Sequence, residues 1–256
     1  MRAEGVAIAR LSCMSSAVLT VLSVGASSKL ERPRTIDRLV SRNIEPDIPD
    51  IVIRRLPLYV RTLRGLQADD VPNVSSDQLA GLIGVTAAQI RRDLSYFGKF
   101  GKQGKGYDTL HLEQAISQIL QLDREWDVAL AGFGSLGHAI AHYRGFIPSS
   151  FNIAAIFDRN PDQLGQTVGG VIVKSDQRIS EEVRRLGIEI GIIAVPAANA
   201  QDVANAMIEG GIHALLNYAP TVLKIPPSVQ VREIDPIWAM QSMTYYLGSE
   251  ELGAGS

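Results

Sequence analysis

Val128-Ala129-Leu130-Ala131-Gly132-Phe133-Gly134-Ser135-Leu136-Gly137-His138-Ala139 is a short apolar run broken by glycines spaced G-x-G-x-x-G. A helix-forming segment follows, so the pattern predicts a strand entering a tight turn that opens a helix. Gly132 permits the turn, Gly134 lets backbone approach a pyrophosphate, and Gly137 brings the helix close to the strand. The backbone N–H groups of the turn, through Phe133, Ser135 and Leu136, then face that anion with the positive end of the helix. The motif means little alone, so its surroundings decide what it is.

Downstream, the surroundings agree. Phe151 to Asp158 reads as a buried strand ending in an acid, and Asp158 lies 21 residues beyond Gly137, where a ribose-binding carboxylate belongs. Its charge repels a 2′-phosphate and favours NAD(H) over NADP(H), while Arg159 next to it softens that repulsion. Apolar runs at Val171–Val173, Glu189–Pro196, His213–Asn217 and Val229–Ile234 alternate with helical segments near Ser180–Leu186 and Asn199–Glu209. Runs apolar on both faces and separated by helices predict a parallel sheet covered on both sides, a Rossmann-type α/β domain. Ligands bind such sheets at the carboxyl ends of strands. That selects Gly132–Gly137, Asp158, Val195, Pro196, Asn217 and Tyr218 as the cofactor-binding set. The helix after the turn is read through Ala139, Ile140 and Tyr143.

Upstream, the character changes. From Ile51 to Tyr107 there are nine Lys/Arg against four Asp/Glu, a balance of +5, and the rest of the chain therefore carries −7. A basic module joined to an acidic one points to a polyanion partner for the first. Helical spacing runs through Leu56, Tyr59, Val60, Leu63 and Leu66, with Pro57 expected to kink or restart the helix. Arg54 and Arg64 read as solvated. Ser75–Gln78 and Thr86–Gln89 are consecutive capping boxes around Gly84, a helix-turn-helix pattern. Arg91, Arg92, Ser95 and Tyr96 lie off the apolar stripe of the second helix, placed to enter a DNA major groove. Phe97 to Tyr107 alternates glycine and lysine, with Lys99, Lys102 and Lys105, as expected of a β-hairpin wing against phosphate or minor groove.

Four segments result. Residues 1–43 read as a disordered or non-native extension, residues 44–107 as a winged-helix DNA-binding domain, and residues 108–236 as the nucleotide domain with its linking helix. Residues 237–256 are a C-terminal helix and tail. In the extension, Arg2 and Arg10 precede the apolar run Ala17–Val24, a superficial match to a secretory signal. Cys13 is the sole cysteine, so neither an intrachain disulfide nor a cysteine metal cluster can form; this suits a reducing, cytoplasmic compartment. No apolar run approaches the roughly 20 residues of a membrane span. His138 and His142 share a metal-pair spacing, but no third ligand follows, so no metal site is expected. No tyrosine–lysine or His–Asp pair marks a catalytic centre, and no catalytic residue is assigned.

The segments Leu56-Pro57-Leu58-Tyr59-Val60-Arg61, Gln89–Gly98 (Gln-Ile-Arg-Arg-Asp-Leu-Ser-Tyr-Phe-Gly), Gly104–Tyr107, the glycine turn, Tyr143–Phe146, Ile193–Ala197 and Leu216–Pro220 together resemble the Rex family of redox-sensing transcriptional repressors. The likeness covers about residues 44 to 247. It implies a homodimer, with a C-terminal helix (here about Ile237–Leu247) exchanged between subunits. It implies binding to palindromic double-stranded operator DNA and release as NADH rises against NAD⁺. By position, Arg91, Arg92 and Ser95 match the groove-reading residues, and Arg61, Tyr143 and Asp235 the polar network that senses the ligand. An apolar pocket near Tyr143, Phe146 and Tyr218 would favour the uncharged reduced ring. Two departures stand out: Gln103 replaces the wing's usual arginine, and Pro236 follows Asp235 where an apolar non-proline is usual. An NAD-dependent dehydrogenase with an incidental basic domain, or a nucleotide-binding module with a protein-docking winged helix, are the alternatives the residues leave open.

Overall fold

A computed structural model of the chain describes residues 48–101, 105–143, 145 and 150–253. The extension at residues 1–43 and the wing residues Lys102 and Gln103 lie outside them. Helix α1 (Asp50–Ala68) runs unbroken through Pro57, contrary to the expected kink or restart. Pro57 is on the exposed side of the helix. The buried series Val52, Leu56, Tyr59, Val60 and Leu63 spans the proline and holds both halves on one core.

After β1 (Asn73–Val74) come α2 (Ser76–Ile83) and α3 (Ala87–Ser95), joined at Gly84, whose φ of 80° ends the first helix. The Ser75–Gln78 capping box closes in both directions. The second closes in one: Thr86 accepts from the Gln89 amide, but the Gln89 side chain donates instead to Asp93. The expected hairpin is also built differently. Strand β2 (Tyr107–Asp108) pairs antiparallel with β1, on the far side of the two helices in sequence, and residues 97–101 form no strand. Helix α4 (Thr109–Ile119), read from sequence as a linker to the nucleotide domain, buries Leu112 and Ile116 in the core of α1, α2 and α3. Arg64, expected to be solvated, pairs with Glu113 of α4 at 2.8 Å.

One buried knot fixes this first core. Asp93 of α3 is fully buried and accepts from Arg55 at 2.6 and 2.8 Å, from the Tyr59 hydroxyl at 2.6 Å and from Gln89 at 2.6 Å. Burial pushes its carboxyl pKa up, and the hydrogen bonds from Arg55, Tyr59 and Gln89 together outweigh it, leaving the group below its usual range.

The remaining strands form one sheet: β3 (Trp126–Ala131), β4 (Phe151–Asp158), β5 (Thr167–Val168), β6 (Val171–Ser175), β7 (Ile190–Ile193), β8 (Ala214–Asn217) and β9 (Gln230–Glu233). Their spatial order is β5-β6-β4-β3-β7-β8-β9, parallel throughout except for β5 at one edge. Strand order reverses between β3 and β7, with β4 and β6 added on one side and β7, β8 and β9 on the other, the switch point at which doubly wound sheets bind ligands. Alternation along β3 sends Ala129 and Ala131 to one face, with α6 (Ile179–Leu186) and α7 (Ala197–Gly210). Val128 and Leu130 go to the other, with Phe133 and Ile140 of the turn and of α5 (Ser135–Ala141). Helix α5 ends before Tyr143, two residues short of the sequence reading.

Helix α8 (Pro236–Gly253) closes the chain. Asp235 caps it, accepting the Ile237 amide at 2.8 Å. Pro236 takes the first helical position, where its missing N–H costs nothing. The departure at Pro236 is therefore a helix-start signal.

Replacing Arg55 with Ala should strand the Asp93 carboxylate and lower unfolding free energy by about 3–5 kcal/mol at neutral pH, measured by urea denaturation. Because Asp93 has a depressed pKa in the folded protein, wild-type stability from this group is complete above the ordinary aspartate range and fades as pH falls through the folded value. The variant should instead recover part of its deficit below about pH 4, since a protonated Asp93 needs no cation.

Candidate functional site

At the carboxyl ends of β3, β4, β6 and β7 lies a cavity of about 290 Å³. Each glycine of the turn has its own reason. A Cβ on Gly132 would stand 2.4 Å from the Ala194 carbonyl, and its φ is +96°. A Cβ on Gly137 would stand 1.8 Å from the Gly132 carbonyl, so the helix rests directly on the turn. A Cβ on Gly134 would meet nothing within 4 Å, and this residue faces the cavity. No side chain caps the N-terminus of α5. The turn is thus closed where it packs and open where a pyrophosphate would come.

Asp158 sits at the end of β4 with both carboxylate oxygens engaged by backbone. Oδ2 accepts the Phe133 amide, and Oδ1 accepts the Asn160 amide at 2.7 Å. This ties the acid to the glycine turn and fixes its rotamer, while each oxygen keeps a lone pair for a ribose hydroxyl. Across the cavity, Arg159 donates to Asp176 at 3.1 Å and to Asn199 at 2.8 Å. Val195 and Pro196 complete the wall after β7.

The structure therefore brings Gly132, Gly134, Asp158, Val195 and Pro196 together around one cavity. It places the other expected cofactor residues elsewhere. The Phe133 side chain is core, and only its backbone reaches Asp158. Gly137 is packed beneath the turn, while Ser135 and Leu136 are exposed on the first turn of α5. Asn217 is buried, and its amide holds the following loop through Ala219 and Thr221. Tyr218 is partly buried at the edge of the core cluster that contains Val128, Leu130 and Phe133. Tyr143 is 64% exposed, with its ring over Gly145, and Phe146 lies outside the described residues. Asp176 and Asn199 were missed. The carboxyl-end rule, applied to β6 as it was to β7, would have found Asp176.

His138 and His142 stack with ring centroids 4.2 Å apart, and His138 also meets Phe133 at 5.3 Å. Among the described residues no group of three metal ligands occurs. No described helix is long and apolar enough to cross a membrane.

On α3, the turn of helix that buries Ile90, Asp93 and Leu94 leaves Arg91, Arg92 and Ser95 exposed. The Ser95 hydroxyl donates to the Arg92 carbonyl at 2.7 Å. Tyr96 is half-buried at the helix end, and Lys99 and Lys105 are exposed beyond it. In the expected switch network, Arg61 is exposed on α1 and Asp235 serves as the cap of α8. The ion pair that does join α1 to the last strand is Asp50 with Arg232 of β9.

Comparison with known proteins places both halves. The family described as "CoA binding domain" matches residues 123–221, and that described as "Putative DNA-binding protein N-terminus" matches residues 47–95. The redox-sensing transcriptional repressor Rex of Roseiflexus sp. (strain RS-1) is 52% identical over 202 residues, covering 79% of this chain and 92% of that protein. The Rex of Streptomyces coelicolor is 38% identical over 221 residues, 86% of this chain and 83% of that one. Among solved structures, RSP in complex with β-NAD⁺ and operator DNA aligns with a TM-score of 0.76 at 39% identity, covering 81% of this chain and 95% of its own. RSP in complex with β-NADH aligns at 0.74 and 37%, covering 81% and 98%. The chain belongs to the Rex family of redox-sensing transcriptional repressors. These relatives are named as repressors, not as enzymes.

The glycine geometry predicts a contrast measurable by thermal denaturation. Gly137→Ala forces a methyl into the Gly132 carbonyl and should cost about 2–3 kcal/mol. Gly134→Ala, with open space at its Cβ, should leave the melting temperature within a degree or two of wild type.

Proposed function

We propose that this chain represses transcription as a cytoplasmic homodimer that binds palindromic operator DNA and leaves it when NADH fills the cavity. The observation that carries this reading is the pairing, within one chain, of a glycine-turn cavity ending in Asp158 with a helix presenting Arg91 and Arg92. Arg91, Arg92 and Ser95 read the major groove, and Tyr96, Lys99, Lys102 and Lys105 meet the backbone or wing contacts. The turn N–H groups hold the pyrophosphate, and Asp158 takes the adenosine ribose. NAD(H) acts as a signal and is not turned over.

Helix α8 supports the dimer. Ile237, Trp238, Met240, Met243, Tyr245 and Leu247 are each more than half exposed. An 18-residue helix with so much apolar surface calls for a cover, and a second copy of the chain supplies one. A two-fold dimer then reads an inverted repeat, one α3 per half-site.

Only a difference in affinity between two states lets a ligand move the equilibrium. Near-complete switching needs about 10⁴-fold discrimination, about 5.5 kcal/mol. NAD⁺ and NADH differ by one charge on the nicotinamide, and burying that charge unpaired is costly. We assign the readout to Arg61, Tyr143 and Asp235, with Asp235 pairing with Arg61 in the DNA-bound form and released from it when NADH closes the dimer.

A gel shift on a palindromic operator, titrated with NAD⁺ and then NADH, tests the whole reading. NADH should release the DNA and be recovered unoxidised, whereas NAD⁺ should leave the complex in place. DNA binding indifferent to both dinucleotides would overturn it. Arg92→Ala should weaken operator binding at least tenfold, about 1.4 kcal/mol, with NADH affinity intact. Asp235→Asn keeps an acceptor for the Ile237 amide and removes only the charge. It should weaken operator binding and lower the NADH needed for release, and a wild-type release curve would exclude the Asp235–Arg61 pairing.

A further inference from the structure

We propose that Asp176 is the positioning residue that makes this cavity select NAD(H) over NADP(H), by occupying the Arg159 guanidinium and standing as a second carboxylate beside Asp158. The inference rests on the reading of the cavity as a dinucleotide site. In this fold an arginine near the end of the second strand is what accommodates a 2′-phosphate, and in sequence Arg159 stands where one could. In the structure it is not free. Its Nε donates to Asp176 Oδ2 at 3.1 Å, and its Nη1 donates to Asn199 Oδ1 at 2.8 Å.

All four residues line the same cavity, from two strand ends and one helix: Asp158 ends β4 and Arg159 follows it, Asp176 follows β6, and Asn199 lies in the first turn of α7. The Asp176 carboxylate is mostly shielded from water, with 19% of its side chain exposed, whereas Arg159 is 60% exposed. The shielded partner is the acid, so it is the cation that is held in place. Counting Asp158, Arg159 and Asp176 together, the group carries a net charge of −1. A phosphate dianion on the 2′-oxygen would meet two carboxylates against one cation whose Nε and Nη1 are already engaged. A plain hydroxyl meets an acceptor in Asp158 and no repulsion.

The test is isothermal titration of NADH and NADPH into the full chain and three variants. Wild type should prefer NADH. Asp176→Ala frees Arg159 and removes a charge, so NADPH affinity should rise about tenfold relative to NADH. The isosteric Asp176→Asn should shift the ratio in the same direction, which covers the case of an unstable alanine variant. Adding Arg159→Ala to Asp176→Ala should cancel the gain, because the cation that receives the phosphate is then gone. An unchanged affinity ratio, or a parallel loss of both ligands, overturns the role of Asp176. Wild-type protein that binds neither dinucleotide overturns the reading of the cavity instead.

Discussion

The pairing of Arg55 with the buried Asp93 is the constraint on which the DNA-reading half depends. It places a carboxylate, completely enclosed, in the last turn of the helix, directly after two exposed arginines. A buried ion pair contributes little net stability against a well-packed apolar substitute, but breaking it is severe. What it adds is orientation. With Asp93 held from four donors, α3 cannot roll about its axis, and Arg91 and Arg92 keep one fixed presentation. The same helix, α1, reaches α4 through Arg64 and Glu113 and reaches β9 through Asp50 and Arg232. It is the beam to which the other parts are fastened.

The cavity follows a comparable logic with backbone in place of ions. Gly132, Gly137 and Ala194 are in such close approach that the turn admits no side chain at either glycine. Asp158 is drawn into that arrangement by the Phe133 amide, so turn and acid form a single unit before any ligand arrives. Around this rigid centre the polar residues at the rim, Arg159, Asp176 and Asn199, can set which dinucleotide fits. The division is economical: backbone fixes the shape of the turn and the rotamer of Asp158, and side chains from separate strands form the rim.

What was legible in the sequence had local causes. The G-x-G-x-x-G spacing, the acid 21 residues on and the two capping motifs each depend on neighbours within one or two turns or a single βαβ unit, and the parallel sheet follows from runs apolar on both faces. The cavity members Gly132, Gly134, Asp158, Val195 and Pro196 came from the same local rules. The residues that escaped notice depend on distant partners. Nothing local marks Asp93 as buried, because its partner Arg55 lies 38 residues earlier. Helix α4 looks like a linker because nothing in its own pattern says which core its apolar face will meet. Asn217 is picked out by its place at a strand end, and its hold on Ala219 and Thr221 appears only in the fold. Pro57 looks like a break, and burial on both sides of it prevails over the lost hydrogen bond.

The bond between Asp50 and Arg232 joins residues 182 positions apart in the chain, and both partners are about half exposed. An ion pair so wetted contributes at most about 1 kcal/mol, close to thermal energy. It therefore marks a register without acting as a clamp. The beam is seated firmly on the recognition helix by buried groups, and its far end rests lightly on the strand that leads into α8. A joint stiff at one end and soft at the other can pivot without unfolding. It also cannot be assembled until ribosomes have completed β9, so a nascent helix-turn-helix emerges before the part that is to restrain it exists.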